Sequence, residues 1–225
     1  MKHYRSSIPK VAREHVIAVH ISGGKYIAEY VYKGEIVGRR YFHEKGELSY
    51  EYPIRNGLKH GMHYRSDEPG KILSAEPYFK GLAHGIAKQW SDDGKLIGTY
   101  TMKWGTGIDL WWNEYKDKKP HLSEVLYLKD GKPHGFNWWL NSNATIYWER
   151  HFFEGKMHGV EREWNNKGRL RRGYPKYWVN DIKVSKRQYI KDFAKDRELP
   201  LFCEKDNLPK RKFSPEIRKH LNVKK

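Results

Sequence analysis

The pattern Gly-x-x-His-Gly occurs four times in this chain, at Gly57–Gly61, Gly81–Gly85, Gly131–Gly135 and Gly155–Gly159. Its histidines, His60, His84, His134 and His158, lie 24, 50 and 24 residues apart. A pattern that returns at a near-constant interval restricts a chain to an array of similar small units, each packed on its neighbours. The long gap holds one eroded unit, marked by Trp104-Gly105-Thr106-Gly107, and a further degenerate copy lies at Gly34-Glu35-Ile36-Val37-Gly38. The array therefore has six units, from about Tyr26 to Leu170.

Residues on either side of each motif alternate, which is the period of a half-buried strand, so each unit reads as a β-hairpin. In the second unit Leu48, Tyr50, Tyr52 and Ile54 point one way while Ser49, Glu51 and Arg55 point the other. Asn56-Gly57 then supplies a turn, and Met62 and Tyr64 lie on the return strand. Later return strands repeat that face as Ile86/Lys88/Trp90, Ile108/Leu110/Trp112, Phe136/Trp138/Leu140 and Val160/Arg162/Trp164. A second turn in each unit is marked by Gly46, Gly70, Gly94 and Gly168. The expected fold is mainly β: an elongated single-layer antiparallel sheet of about six repeated hairpins, roughly 50 to 60 Å long at the usual strand spacing. A single layer must bury its apolar face by curving, by packing on helices or by dimerising.

Residues 1–22 form a polar arm, disordered over its first part, with a lead-in strand at Val16–Ile21; residues 23–184 hold the repeat sheet; residues 185–225 hold helices and a basic tail. Val184-Ser185-Lys186-Arg187-Gln188-Tyr189 has the form of a capping box with a hydrophobic staple, which predicts a helix over Lys186–Arg197 whose Tyr189, Ile190 and Phe193 dock on the last repeat. Ser214-Pro215-Glu216 starts a second helix, with Ile217 and Leu221 on one side. Pro200–Phe213 between them reads as an extended linker, so removal of everything after Leu201 is expected to leave the sheet folded.

Net charge is +17, and residues 183–225 contribute 14 Lys or Arg against 6 Asp or Glu. That density attracts nucleic acid, anionic lipid or an acidic protein without choosing among them. The only cysteine, Cys203, excludes an intrachain disulfide and a cysteine-based zinc cluster. No stretch reaches the roughly 20 apolar residues of a membrane span, and no secretory core is evident near the start, which makes a cytoplasmic location the expectation.

The units, for example Gly81-Leu82-Ala83-His84-Gly85 followed by Trp90 and Asp93-Gly94-Lys95-Leu96, resemble MORN repeats. More narrowly they resemble the bacterial variant of YwqK-type antitoxin-like proteins, over about 145 residues with four good copies and two eroded ones. Tyr177–Ser185 is similar to the closing unit of such proteins, although Asp181 stands where glycine is usual. The resemblance implies an open hairpin sheet, a scaffolding role and, for bacterial members, an antitoxin label.

Histidines of neighbouring hairpins lie about 9 to 10 Å apart, a spaced row rather than a tetrahedral metal cluster. Glycine serves the turn or a close approach, and the His ring packs or hydrogen-bonds beside it. No nucleophile elbow, Walker loop or dinucleotide fingerprint is present, so neither catalysis nor a cofactor is expected. In Trp111-Trp112 and Trp138-Trp139, adjacent strand residues face opposite ways; the alternation buries Trp112 and Trp138 and turns Trp111 and Trp139 outward. Beside Lys103, Lys116 and Arg150 the outward rings have three roles open to them: a protein interface, cover by a terminal helix, or stacking on bases.

The leading expectation is a non-enzymatic module that binds an acidic partner protein through one sheet face, an antitoxin-like or immunity role being its sharpest form. The alternatives are polyanion binding, to nucleic acid or anionic lipid, through Lys210-Arg211-Lys212 in the tail, and a self-associating structural component of a larger assembly.

Overall fold

The computed structural model describes residues 3–114 and 119–221. The chain is mainly β, with open antiparallel pairing throughout and two short helices. It divides into two compact units, Met1–Gly105 and Thr106–Lys225, so the division falls inside the repeat array rather than at its ends.

In the first unit β1 (Arg13–Val19), β2 (Lys25–Tyr32), β3 (Glu35–Phe42) and β4 (Leu48–Arg55) pair in succession. The next return strand is broken into β5 (Leu58–Lys59) and β6 (Gly61–Arg65), both paired with β4. β7 (Ser74–Phe79) follows, then the broken pair β8 (Leu82–Ala83) and β9 (Gly85–Trp90), then β10 (Leu96–Lys103). In the second unit β11 (Thr106–Asn113) pairs with β12 (His121–Lys129), whose other partners are β13 (Lys132–Pro133) and β14 (Gly135–Leu140). β15 (Ile146–Phe153), β16 (Lys156–Met157), β17 (Gly159–Glu163), β18 (Lys176–Val179) and β19 (Ile182–Val184) continue the same antiparallel pairing.

The repeat motif explains the breaks. Each hairpin turn places two consecutive residues at positive φ, as at Asn56 (51°) and Gly57 (72°) or Glu154 (47°) and Gly155 (89°), which is the type I′ turn that matches strand twist. Each motif histidine interrupts its return strand, its N–H donating to the outgoing strand: His60 to Pro53, His84 to Pro77, His134 to Tyr127 and His158 to His151. The glycine after it then resumes the strand at positive φ. At Gly159 φ is 150°, and a Cβ would meet His151 Cβ at 2.6 Å. The return strands β3 and β11, which lack the histidine, run unbroken. At the last turn Asn180 (49°) and Asp181 (67°) adopt the same conformation without glycine, and Asp181 Oδ1 accepts the Met157 N–H at 2.7 Å.

In each unit one face of the sheet is covered by the chain's own flank. In the first, residues 3–12 pack rather than hang free: Ile8 is buried with Ala28, Tyr30 and Phe42, the Tyr4 ring meets Tyr64, and His3 stacks on Trp90. Ile8 sits where Gly38 leaves room, since a Cβ there would lie 2.3 Å from its Cδ1. The lead-in strand spans Arg13–Val19. In the second unit α1 (Lys186–Phe193) begins at Ser185, whose Oγ accepts the Gln188 N–H, but the Gln188 side chain donates to Asp192 instead of closing the box. The helix stops at Phe193, four residues short of expectation, and buries Tyr189 against Val160, Tyr177 and Leu199 while Ile190 stays exposed.

From there the chain recrosses the sheet. Trp164 Nε1 donates to Asn207 O at 2.7 Å, the Ile146 N–H to Pro209 O at 3.0 Å, Phe213 packs on Trp138 at 5.3 Å and His220 on Trp112 at 5.4 Å. A one-turn α2 (Pro215–Arg218) capped by Ser214 buries Ile217. Removal after Leu201 would therefore strip the cover from Trp112, Trp138 and Trp164, contrary to the expectation of an independent sheet.

Candidate interaction surface

Register decides which face is which. Glu51 is directly opposite Tyr64, which is opposite Ala75, and all three are buried, so Glu51 is on the covered face with none of its surface exposed. The expected core set of Leu48, Tyr50, Tyr52 and Ile54 is thereby divided: Leu48 is buried beside a strand bulge, while Tyr50 and Tyr52 lie half-exposed on the other face. Glu51 accepts from Tyr4 Oη and pairs with Arg40 Nε at 2.6 Å. The equivalent residue of the second unit, Glu149, is fully buried as well. It accepts from Trp138 Nε1 at 2.7 Å, Arg162 Nη1 at 2.7 Å, and Arg211 Nε and Nη2 at 2.8 Å each. Burying a carboxylate is costly unless it is paired and hydrogen-bonded, and both of these are.

The opposite face of the second unit is lined with tryptophan. Glu124 is opposite Trp111 on one side and Trp139 on the other, Trp139 is opposite Trp148, and Trp148 is opposite Glu163. All five side chains are half-exposed, and the Trp139 and Trp148 rings pack at 4.9 Å. Beside this row the Arg150 guanidinium lies 3.7 Å over Trp148 and pairs with Glu161 at 3.1 Å. Glu161 also accepts from the indoles of Trp148 (3.2 Å) and Trp178 (3.1 Å), which fixes both rings.

The matching face of the first unit carries Tyr41, Tyr50, Tyr52, His63 and Tyr78, with neighbouring centroids 4.0 to 6.2 Å apart and Lys59 over Tyr52 and Tyr78. Burial, with Lys59 adding to it, pushes the His63 imidazole down to about 3, and burial raises the Glu76 carboxyl opposite it. An imidazole held that low is a poor base at neutral pH, so the pair is ill-suited to proton transfer.

Trp111, Trp139 and Arg150 thus share one face, although the Arg150 charge is held by Glu161. Lys103 belongs to the first unit, exposed at the end of β10, and Lys116 lies outside the described residues. In the tail Lys210 and Lys212 are exposed, whereas Arg211 turns inward to Glu149 and to the carbonyls of Asp206, Leu208 and Lys210. Its charge is spent on the fold.

Three motif histidines meet rings of the adjoining hairpin, His60 on Phe79, His84 on Trp104 and His134 on Phe153, and His158 meets Phe153 of its own hairpin. His84 and His158 also accept backbone N–H groups at Nδ1, from Trp104 and Asn180. His158 Nε2 lies 3.3 Å from Asp196 Oδ2, close enough for an ion pair but outside hydrogen-bonding geometry. Among the described residues no three His, Cys, Asp or Glu converge as metal ligands, and no helix is long and apolar enough to cross a membrane. Glu51, which the alternation turns to the polar side, and Glu149, Glu161, Trp148 and Trp178, to which it gives no role, are not singled out by the sequence. Aligning the units on their turn glycines exposes the first two, because the sixth residue before that glycine is also buried at Ala28, Ala75 and Val125. Compared with known proteins, the chain matches no protein-family model and no curated relative.

Proposed function

We propose that this chain is a non-enzymatic interaction module that holds a partner protein against the tryptophan-lined face of its second unit. One observation carries the reading: Trp111, Trp139 and Trp148 stand half-exposed in one row, on the side of the sheet opposite the face covered by residues 199–221. Large rings fixed by cross-strand packing and by Glu161 offer contact area at little cost in side-chain entropy, the property that places Trp among interface hot spots. The charges beside the row, Arg150 and Lys176 against Glu124, Glu161 and Glu163, are close to balanced, so affinity there rests on ring burial. The net charge of +17 favours a partner that is acidic elsewhere on its surface, and an antitoxin-like role is the narrow form of this reading.

The test is to recover the partner by affinity capture from the native lysate, purify it, and titrate it against the wild-type chain, Trp111→Ala and Trp139→Ala. Each variant is expected to lose about 2 kcal/mol or more, roughly thirtyfold in Kd, with little change between low and high salt. Equal affinity of both variants and the wild type would overturn the face assignment.

A further inference from the structure

Three exposed cations of the second unit border a cleft of about 640 Å³. Its apolar part is formed by Ala144, Phe213 and Leu221, and its rim by Lys210, Lys212 and Arg218. The alternation of the extended segment explains the arrangement. Arg211 is drawn inward to Glu149, so the lysines on either side of it project outward. The side chains of Lys210, Lys212 and Arg218 are exposed and make no ion pair among the described residues, whereas Arg150, Arg162, Arg171 and Arg211 are each paired. Phe213, anchored on Trp138, and Ile217, fully buried, hold the apolar side of the cleft in place.

We propose that this cleft seats an acidic peptide segment with one large apolar side chain, the carboxylates meeting Lys210, Lys212 and Arg218 and the apolar group resting on Phe213 and Leu221. The volume lies in the range of a ligand pocket, enough for one anchoring side chain and its flanking backbone, and three unpaired cations demand a multiply charged occupant. For the identity of its occupant the site rests on the interaction-module reading: it is where an acidic partner engages the net positive charge, apart from the balanced tryptophan row. Nucleic-acid bases also carry apolar faces, so an oligonucleotide is the competing occupant in the test.

The probe is a fluorescently labelled octapeptide with one Phe between two pairs of Glu, followed by anisotropy. Saturable binding is expected, weakened about tenfold or more by the triple variant Lys210→Ala, Lys212→Ala, Arg218→Ala. A control triple variant, Lys10→Ala, Lys45→Ala, Lys88→Ala, removes the same charge from exposed sites in the first unit and is expected to bind as wild type. Replacing the peptide's Phe by Gly, or its Glu residues by Gln, should abolish binding, and Trp111→Ala should leave it unchanged. The proposal is overturned by no binding, by equal loss in the control variant, or by an oligonucleotide that binds where the peptide does not. Because partner binding through Trp111 and Trp139 is measured separately, failure of the cleft and failure of the tryptophan face are distinguishable.

Discussion

The Glu149 cluster makes the most exacting test of how the second unit is held together. Arg211→Met removes the two bonds to Glu149 and the three to the carbonyls of Asp206, Leu208 and Lys210 but keeps a side-chain stem beside Trp164, and Glu149 retains Arg162 and the Trp138 indole. No charge is orphaned, so the cost is that of a lost charge-assisted pair, about 2–3 kcal/mol. Glu149→Gln differs in kind, because Arg162, almost wholly buried, and Arg211 both lose their only carboxylate. That variant should cost about 3–5 kcal/mol. Replacing all three charges together, Glu149→Met with Arg162→Met and Arg211→Met, leaves no buried charge and should recover to within about 2 kcal/mol of wild type. The assay is urea unfolding followed by tryptophan fluorescence, which reports chiefly on this unit because seven of the nine Trp lie in it. The reasoning fails if Arg211→Met costs less than about 0.5 kcal/mol, or if the triple variant is as unstable as the sum of its parts.

Three further outcomes are expected. Tyr4→Phe should destabilise the first unit by about 1–2 kcal/mol, since it removes a donor from buried Glu51, and a thermal scan of that unit's unfolding measures it. Gly159→Ala should cost well over about 2 kcal/mol, because positive φ and the His151 contact act together, while Gly46→Ala, at φ 86° with open space around it, should cost about 1 kcal/mol; similar values in urea titrations would discount the crowding. His63 binds its proton more weakly folded than unfolded, so its contribution is intact above about pH 6.5 and is lost as pH falls toward 3, by up to about 3–5 kcal/mol; His63→Gln should flatten the acid limb of the stability profile over that window.

What the sequence made legible is what depends on neighbours a few residues away. Asn56-Gly57 and its equivalents specify type I′ turns locally, and the return strands read correctly at Leu110, Trp112, Val160 and Trp164 because alternation needs nothing but the strand itself. Trp111 and Trp139 were placeable for the same reason. Ile86 was misread, remaining exposed on the face expected to be buried. Reading failed most clearly where burial depends on a distant partner. Glu51 is opposite to solvent only because Arg40 and Tyr4 neutralise it, and Tyr4 is 47 residues away. Arg211 sits in a run that looks solvated, while its carboxylate is 62 residues upstream. Residues 3–12 show no period because they cross strands instead of lying along one, touching the sheet through single side chains such as His3, Tyr4 and Ile8.

These failures share one physical origin. The sixth position before the turn glycine is buried in five of the hairpins, and small apolar residues fill it at Ala28, Ala75 and Val125. Only Glu51 and Glu149 break that column among its fully buried members, and each is met by a side chain from the segment that crosses its own unit: Tyr4 in one, Arg211 in the other. A buried carboxylate here is best understood as a register device. It gives a featureless flank one position on the sheet where its polar group meets a buried carboxylate, and a displaced position forfeits that bond. The segment so fixed determines which face of each hairpin array is closed, and therefore which aromatic face stays exposed.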